Sequence, residues 1–204
     1  EYNLTIAKAL SIPFEKVKAA QMLMDEDNPE IFFKTNREKM RTLKLEKEAH
    51  FKWFSGIIER LDANVTANID LVEDLCQKSM YGIDRYLYTD TIQCLLKIKE
   101  IGGKSYILSN GLPSRRQEIY KLGLEKYLDN IYISSEVGIE KPDFEAYRFV
   151  LRDLDISPYE AVFIDDQIGH VESASKIGIK SYRIMREKGQ PSQWDIKSLN
   201  ELPL

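Results

Sequence analysis

The sequence predicts an α/β fold in which a parallel sheet is covered by helices and accompanied by a separate helical region. From about residue 89, short apolar segments alternate with amphipathic helical segments, the pattern of a parallel sheet covered on both faces. Residues 1–86 instead carry apolar residues at helical spacing, with no alternating strand pattern. The chain has 204 residues, of which 43% are hydrophobic and 30% charged, so we expect one soluble domain or a core domain with a modest insertion.

The charge and the cysteine content of the chain disfavour several classes of partner and location. A net charge of −4 disfavours nucleic acid and anionic membranes as partners. We expect neither a signal peptide nor a membrane helix, because no signal-peptide pattern is visible and no uninterrupted apolar stretch approaches the roughly 20 residues that a membrane helix needs. Only Cys76 and Cys94 occur, without metal-type spacing, which favours a reduced cytoplasmic protein in which both pack as small apolar groups.

The helical region also contains a basic run. Its cations alternate with Glu38, Glu46 and Glu48, so we interpret the run as a solvated helix face. The run consists of Lys34, Arg37, Lys39, Arg41, Lys44 and Lys47.

The elements of the second region follow in order from apolar runs and breaker residues. Thr89 or Asp90 is placed to cap the first helix, which stops before Gly102-Gly103. The predicted strands are 105–108, 130–133, 161–164 and 179–184. The predicted helices are 89–101, 115–122, 143–154 and 171–177.

Polar groups follow two of these strands. Ser109-Asn110-Gly111 comes directly after the strand at 105–108, and Asp165-Asp166 comes directly after the strand at 161–164. Ligands of open α/β sheets bind at the carboxyl ends of the strands. We therefore expect both groups, and the loop that carries Lys141 between them, to lie at one edge of the sheet.

Each group has a structural and a chemical interpretation. Ser109 can cap a turn or donate a hydrogen bond to a phosphoryl oxygen. Gly111 lets the backbone approach closely, and the amides that follow can face an anion. Lys141 before Pro142 fits an ordinary turn, or a compact charge that clamps a phosphoryl group.

The Asp165-Asp166 pair can end a strand and cap the next helix. Adjacent carboxylates repel each other, however, and a bound cation removes that cost. Mg²⁺ prefers one or two carboxylates together with water and phosphate oxygens, so the pair also fits a magnesium site.

Three segments together carry a family resemblance. They are Leu-Ser-Asn-Gly at 108–111, Gly-Ile-Glu-Lys-Pro-Asp-Phe-Glu at 138–145, and Val-Phe-Ile-Asp-Asp-Gln-Ile-Gly-His-Val-Glu-Ser-Ala at 162–174. Their order resembles the haloacid dehalogenase (HAD) superfamily over about residues 89–184. The resemblance implies a Rossmann-like core at 87–204 and an inserted helical cap of the C1 type at 1–86.

The resemblance also implies an activity. We expect a Mg²⁺-dependent phosphatase of a small phosphorylated metabolite that works through an aspartyl-phosphate. Ser109 would bind the transferring phosphoryl group, with Asn110 and Gly111 beside it. Lys141 would clamp that group and the nucleophile, and Asp166 with Asp165 would hold Mg²⁺ directly or through water.

The sequence departs from the family pattern in two places. The family's first motif, Asp-x-Asp-Gly-Thr, supplies the nucleophile at the end of a central strand and is absent from these residues. Because the sequence begins at Glu1 in helix-like residues, we expect that motif upstream, and we expect the sheet to have a gap with reduced stability. His170 stands where many relatives carry Asp or Asn, and we interpret it as a hydrogen-bonding residue around the site.

Two alternatives remain open. One is hydrolytic dehalogenation of a 2-haloacid, which uses the same fold and nucleophile without a metal. Members of that group tend to lack the acidic pair at 165–166, so the pair favours the phosphatase. The other is a non-catalytic interaction protein that kept the fold and lost its nucleophile. The sequence indicates neither the substrate nor the oligomeric state.

Overall fold

The computed structural model describes residues 2–24, 39–82, 85–186, 192–193 and 195–204. It divides into two compact units, Glu1–Arg85 with Leu112–Glu118, and Tyr86–Gly111 with Ile119–Leu204. Among the described residues, no helix combines the length and the apolarity that crossing a lipid bilayer requires.

The first unit is built from helices. They are α1 (Tyr2–Leu10), α2 (Phe14–Met24), α3 (Leu43–Arg60) and α4 (Ile69–Tyr81), with a 3-10 turn at Thr66–Asn68. The prediction of an all-helical region is therefore confirmed where this region is described. Its designation as a cap over a substrate stays a prediction.

Apolar side chains at helical spacing form the core of this unit. The buried members lie in the four helices or directly after α3. Each fully buried Val, Leu, Ile or Phe among them stabilises the fold by roughly 1.5–3 kcal/mol through the apolar area it removes from water. The core consists of Ile6, Ala7, Val17, Ala20, Trp53, Phe54, Ile57, Ile58, Leu61, Val72, Leu75 and Cys76.

The prediction that the charged face of α3 is solvated is wrong at one residue, Glu46. Lys44, Lys47 and Glu48 are exposed as predicted, but Glu46 is only 1% exposed. Its Oε2 accepts a hydrogen bond from the Ser114 amide at 2.7 Å, and its Oε1 accepts one from the Ser114 hydroxyl at 2.5 Å. The charge pattern could not show this burial, because the acceptor is used by a segment 68 residues away. Lys34, Arg37 and Glu38 lie outside the described residues.

The second unit contains the α/β elements. Its strands are β1 (Tyr106–Ser109), β2 (Asn130–Ile133), β3 (Val162–Asp165), β4 (Lys180–Ile184) and β5 (Asp195–Ile196). Its helices are α5 (Thr89–Glu100), α7 (Ser134–Val137), α8 (Phe144–Leu154) and α9 (Ile168–Lys176). Helix α6 (Ser114–Lys121) belongs to the first unit up to Glu118 and to the second unit from Ile119. Short 3-10 turns lie at Glu125–Tyr127, Pro158–Glu160 and Leu199–Glu201.

All described strand pairs are parallel, which confirms the predicted fold class. β1 pairs with β2 so that Ser109 lies opposite Ile133, and β3 pairs with β4 so that Asp165 lies opposite Arg183. β5 extends the second group to the order β3-β4-β5. Within the described part of the chain, β1-β2 and β3-β4-β5 are separate sheets, so the predicted discontinuity is confirmed there.

Alternating residues on the strands face different helices. Ile107 of β1 packs in a cluster with Ile92 and Leu95 of α5. The next residue, Leu108, packs in a cluster with Tyr147 of α8 and Ala174 of α9. Because successive strand residues point to opposite faces, helices cover both faces, as the alternating pattern predicts.

The structure differs from the predicted elements mainly at the start of α9 and at the short elements α7 and β5. The last helix begins at Ile168 rather than Val171, since its first turn is formed by Ile168, Gly169 and His170. The sequence pattern does not reveal α7 or β5, which are too short to show a period. Both cysteines are free and buried, as expected.

Candidate active site

The turn after β1 is attached to the loop that carries Lys141. The Asn110 side chain bonds the Lys141 main chain in both directions: its Nδ2 donates to the carbonyl at 2.6 Å, and its Oδ1 accepts from the amide at 2.9 Å. Both ends of the amide are thereby satisfied. Asn110 thus fixes where the Lys141 backbone lies relative to the end of β1.

The same turn is attached on another side to the start of α7. The Gly111 amide donates to the Ser134 hydroxyl at 3.0 Å, and the Ser135 amide donates to the Gly111 carbonyl at 3.3 Å. This helix ends at Gly138, whose φ of 86° is a left-handed conformation that favours glycine. The chain then turns towards Lys141, and the Lys141-Pro142 peptide is cis.

Lys141 and Asp165 form a buried ion pair. The Lys141 Nζ donates to the Asp165 Oδ2 at 2.5 Å, and each side chain is 8% exposed. The ammonium also lies 5.4 Å from the centroid of the Phe163 ring. Since an ammonium has three N–H donors, the bond to Asp165 leaves donors for a further acceptor.

Asp165 receives hydrogen bonds on its other oxygen as well. Its Oδ1 accepts from the Gln167 amide at 2.9 Å and lies 3.0 Å from the His170 Nδ1. Burial alone would raise the pKa of Asp165, but the Lys141 ammonium, the Gln167 amide and His170 outweigh burial and lower it. Asp165 is therefore held as a carboxylate.

The buried Tyr147 side chain contacts both His170 and Phe163, the neighbours of the Lys141–Asp165 pair. The Tyr147 hydroxyl donates to the His170 carbonyl at 2.8 Å, and its ring packs edge-on against Phe163 with centroids 5.2 Å apart. Burial raises the pKa of Tyr147, so its hydroxyl remains a donor. Helix α8 thus braces the helix that presents His170 to Asp165.

Two predicted site residues keep their polar groups free. In the described part of the chain, the half-buried Ser109 hydroxyl makes no hydrogen bond, and the exposed Asp166 carboxylate makes neither a hydrogen bond nor an ion pair. Ser109 precedes Asn110, and Asp166 follows Asp165. These free groups therefore flank residues that converge on Lys141.

The structure brings together the loops that the sequence predicted to meet. Lys141 is bonded by Asn110 through its backbone and by Asp165 through its ammonium. Gly111 donates its amide to Ser134 rather than leaving it open towards a ligand. Sequence reasoning missed Ser134. The sequence does carry a signal for it, because Ser134-Ser135 follows β2 directly and ligands of parallel sheets bind at the carboxyl ends of the strands.

The donor set fits Mg²⁺ as one part of a coordination shell. No three His, Cys, Asp or Glu residues in the described ranges form a cluster that could hold a metal. Asp166 offers a free carboxylate, and Asp165 has one lone-pair site beyond the bonds it accepts. Because Mg²⁺ usually takes one or two carboxylates and completes its shell with water and phosphate, this set fits such an ion.

Comparison with models of protein families shows the family of this chain. The model of the haloacid dehalogenase-like hydrolases matches residues 3–178. The chain belongs to that family. HAD-like hydrolases of both expected chemistries are among its relatives, and the chain spans about half the length of the curated relatives it matches.

Two relatives and a solved structure illustrate this range. A glyceraldehyde 3-phosphate phosphatase from Methanocaldococcus jannaschii is 28% identical over 123 residues, covering 56% of this chain and 54% of the relative. (S)-2-haloacid dehalogenase 4A from Burkholderia cepacia is 31% identical over 123 residues, covering 56% and 53%. The crystal structure of a 2-haloacid dehalogenase from Pseudomonas syringae superposes with a TM-score of 0.66 at 18% identity, covering 94% of this chain and 80% of that one. The likeness to this structure shows a shared HAD fold.

Proposed function

We propose that this chain belongs to a Mg²⁺-dependent phosphatase that acts on a small phosphorylated metabolite. The observation that carries the proposal is the buried Lys141–Asp165 pair, tied to Asn110 and flanked by a free Ser109 hydroxyl and a free Asp166 carboxylate. Phosphoryl transfer depends mainly on positioning and on neutralising charge, and these groups provide a donor, a cation and a metal ligand.

Each residue has a distinct role in this proposal. The Ser109 hydroxyl donates to an oxygen of the transferring phosphoryl group. Lys141 is fixed by Asp165 through one N–H and directs another towards the phosphoryl group. Asn110 acts by holding the Lys141 backbone, and Gly111 contributes a turn without a side chain that would obstruct the ligand.

Asp166, with Asp165 beside it, would hold Mg²⁺. When bound, the ion neutralises negative charge on the phosphoryl group. Asp165 is already held by Lys141 and Gln167, which leaves Asp166 as the carboxylate most open to a cation.

The attacking carboxylate comes, in this proposal, from a strand upstream of Glu1 that would join β1-β2 to β3-β4-β5. The divided sheet supports this, because β1 and β3 each have only one strand neighbour among the described residues. An aspartate at the end of such a strand would attack phosphorus and break the ester P–O bond, and the substrate's oxygen would leave as an alcohol with a proton from solvent. Water would then hydrolyse the aspartyl-phosphate to inorganic phosphate and restore the aspartate.

Dehalogenation is the second candidate, because (S)-2-haloacid dehalogenases are among the relatives. It would use the same upstream aspartate to displace halide from a 2-haloacid. The free Asp166 carboxylate favours the phosphatase, since dehalogenation has no need of a metal ligand at this position. A non-catalytic interaction protein is the third candidate, and a gene without an upstream Asp-x-Asp would favour it.

Activity of the protein expressed from its gene, including any residues upstream of Glu1, tests the proposal. We expect phosphate release from a panel of phosphomonoesters with Mg²⁺, loss of that release in excess chelator, and no halide release from 2-chloropropionate. Asp166→Asn should reduce phosphate release at least tenfold. Halide release that persists in chelator would contradict the phosphatase and support the dehalogenase.

A further inference from the structure

The Ser109-Asn110-Gly111 turn is held from two sides by unrelated parts of the second unit. On one side the Asn110 side chain bonds the Lys141 backbone. On the other side Gly111 is bonded by the first residues of α7. The Lys141 contact acts on the proposed phosphoryl-binding lysine itself, whereas the α7 contact reaches only Gly111.

Ser134 makes the side-chain part of the α7 contact. Its hydroxyl accepts from the Gly111 amide at 3.0 Å and lies 3.4 Å from the Gly111 carbonyl, and the residue is 1% exposed. Its position follows from the sheet, because Ser109 pairs in register with Ile133, the residue before Ser134. The contact therefore joins the ends of two paired strands.

We propose that Ser134 is a positioning residue for phosphate binding. Its hydroxyl fixes Gly111, and Gly111 in turn fixes the direction in which Ser109 and Asn110 leave β1. Because Asn110 holds the Lys141 backbone, loss of the Ser134 hydroxyl displaces both the serine donor and the lysine cation. The inference rests on the proposed phosphatase function, and Ser134 itself does not touch the phosphoryl group.

The neighbouring serine offers a matched control. Ser135 lies in the same short helix and is also 1% exposed, but its hydroxyl has no hydrogen-bond partner among the described residues. Removing a buried hydroxyl without a partner is close to neutral, whereas removing the Ser134 hydroxyl leaves the Gly111 amide without its acceptor. The two alanine variants thus differ in one contact.

The test compares wild type, Ser134→Ala, Ser135→Ala and Ser134→Thr in two measurements. Amide hydrogen exchange at Gly111, followed by NMR, reports the contact directly and does not depend on the function. Titration with inorganic phosphate in the presence of Mg²⁺ reports its consequence. The melting temperature of each variant identifies any general loss of folding.

We expect Ser134→Ala to speed Gly111 exchange and weaken phosphate binding, each about tenfold. Ser135→Ala should stay within twofold of wild type in both, and Ser134→Thr, which keeps a hydroxyl, should recover most of the loss even if Ser134→Ala folds poorly. Equal effects of the two alanine variants would overturn the proposal.

Wild type that binds no phosphate would contradict the proposed function, and with it the role of Ser134 in phosphate binding. Gly111 exchange would still show in that case whether Ser134 holds the turn. The two failures are therefore distinguishable.

Discussion

Lys141 and Asp165 are buried together, so each charge depends on the other. The ammonium and the carboxylate are 2.5 Å apart with side chains 8% exposed, and His170 and the Gln167 amide complete the shell of the carboxylate. A pair of this kind adds little to stability compared with apolar residues, but removing one member leaves an uncompensated buried charge. Lys141 therefore has a structural role in addition to the proposed catalytic one.

Replacing Lys141 with methionine tests this structural role. Lys141→Met keeps much of the side-chain volume and leaves Asp165 without its cation, so we expect a loss of about 3–5 kcal/mol in the free energy of unfolding. Lys104→Met, at an exposed position, is the control and should change stability by less than about 0.5 kcal/mol. Urea denaturation of both variants provides the measurement. Similar urea midpoints for the two variants would show that Lys141 and Asp165 do not form this ion pair in solution.

The limits of sequence reasoning are clear among individual residues. Ser109, Lys141 and Asp165 could be found because each lies in a short motif beside an apolar segment. Glu46 could not, since a glutamate in a basic helical run looks the same whether its carboxylate faces water or a distant serine amide. Burial is a property of the tertiary partner, and the local pattern does not contain it.

Among the elements, α3 has a buried carboxylate on an otherwise ordinary helix. Burial raises the pKa of Glu46, and the two hydrogen bonds from Ser114 lower it without cancelling that effect. The ionised form therefore costs free energy in the folded state at neutral pH. That cost declines as the pH falls through the raised pKa, where the carboxyl is protonated in the folded protein, and is gone below the usual value, where the unfolded chain is protonated as well.

Glu46→Gln keeps an acceptor for Ser114 and removes the ionisation. We expect the free energy of unfolding of the variant to gain on that of wild type as the pH rises from about 4.5, the usual glutamate pKa, towards neutrality. Glu48→Gln, on the exposed side of the same helix, should give a difference that changes much less with pH. Urea denaturation between pH 4.5 and 7.5 measures both. A Glu46→Gln difference that falls as the pH rises would contradict the direction of the pKa shift.

Elements with a clear period were predicted well, and those without one were missed. Strands β1 to β4 agree with the predicted runs to within about one residue. β5 has two residues and is fixed by a contact instead, the Arg183 guanidinium bonding Asp195 through Nε at 2.6 Å and Nη2 at 2.7 Å. A strand held by an ion pair across 12 residues leaves no apolar run to recognise.

At the scale of the whole molecule, Asp90 joins distant parts of the second unit. The sequence suggested it as a helix cap, but its carboxylate instead accepts from the Arg186 guanidinium at 2.6 and 2.8 Å. It also accepts from the Ser198 hydroxyl at 2.7 Å and the Leu199 amide at 2.9 Å. These bonds, led by that from Arg186, lower the pKa of Asp90, so their stabilisation is present above the usual aspartate pKa and declines as the pH falls below it.

Asp90→Ala should therefore destabilise the protein at pH 7 by about 2–4 kcal/mol, because it leaves Arg186 and two further donors without an acceptor. Asp74→Ala breaks the exposed Asp74–Lys78 pair and should cost less than about 0.5 kcal/mol. Thermal denaturation compares them. Equal melting temperatures would mean that Asp90 does not anchor the C-terminal residues.

The division of the sheet is also a property of the whole molecule. Each sheet has a clear sequence signature, and the interruption between β1 and β3 followed from the absence of a family motif rather than from any local pattern. The two sheets are nevertheless linked by side chains, through Asn110, Lys141 and Asp165. If these contacts form a phosphate and cation site by themselves, binding does not require the nucleophile.

Calorimetric titration of this chain with inorganic phosphate, in Mg²⁺ and in excess chelator, tests that claim most directly. Wild type should bind phosphate at least tenfold more tightly with Mg²⁺ than with chelator. Asp166→Asn, which removes an exposed carboxylate without a partner among the described residues, should lose that difference while keeping the wild-type melting temperature. Phosphate affinity that is the same with Mg²⁺ and with chelator in wild type would contradict the account.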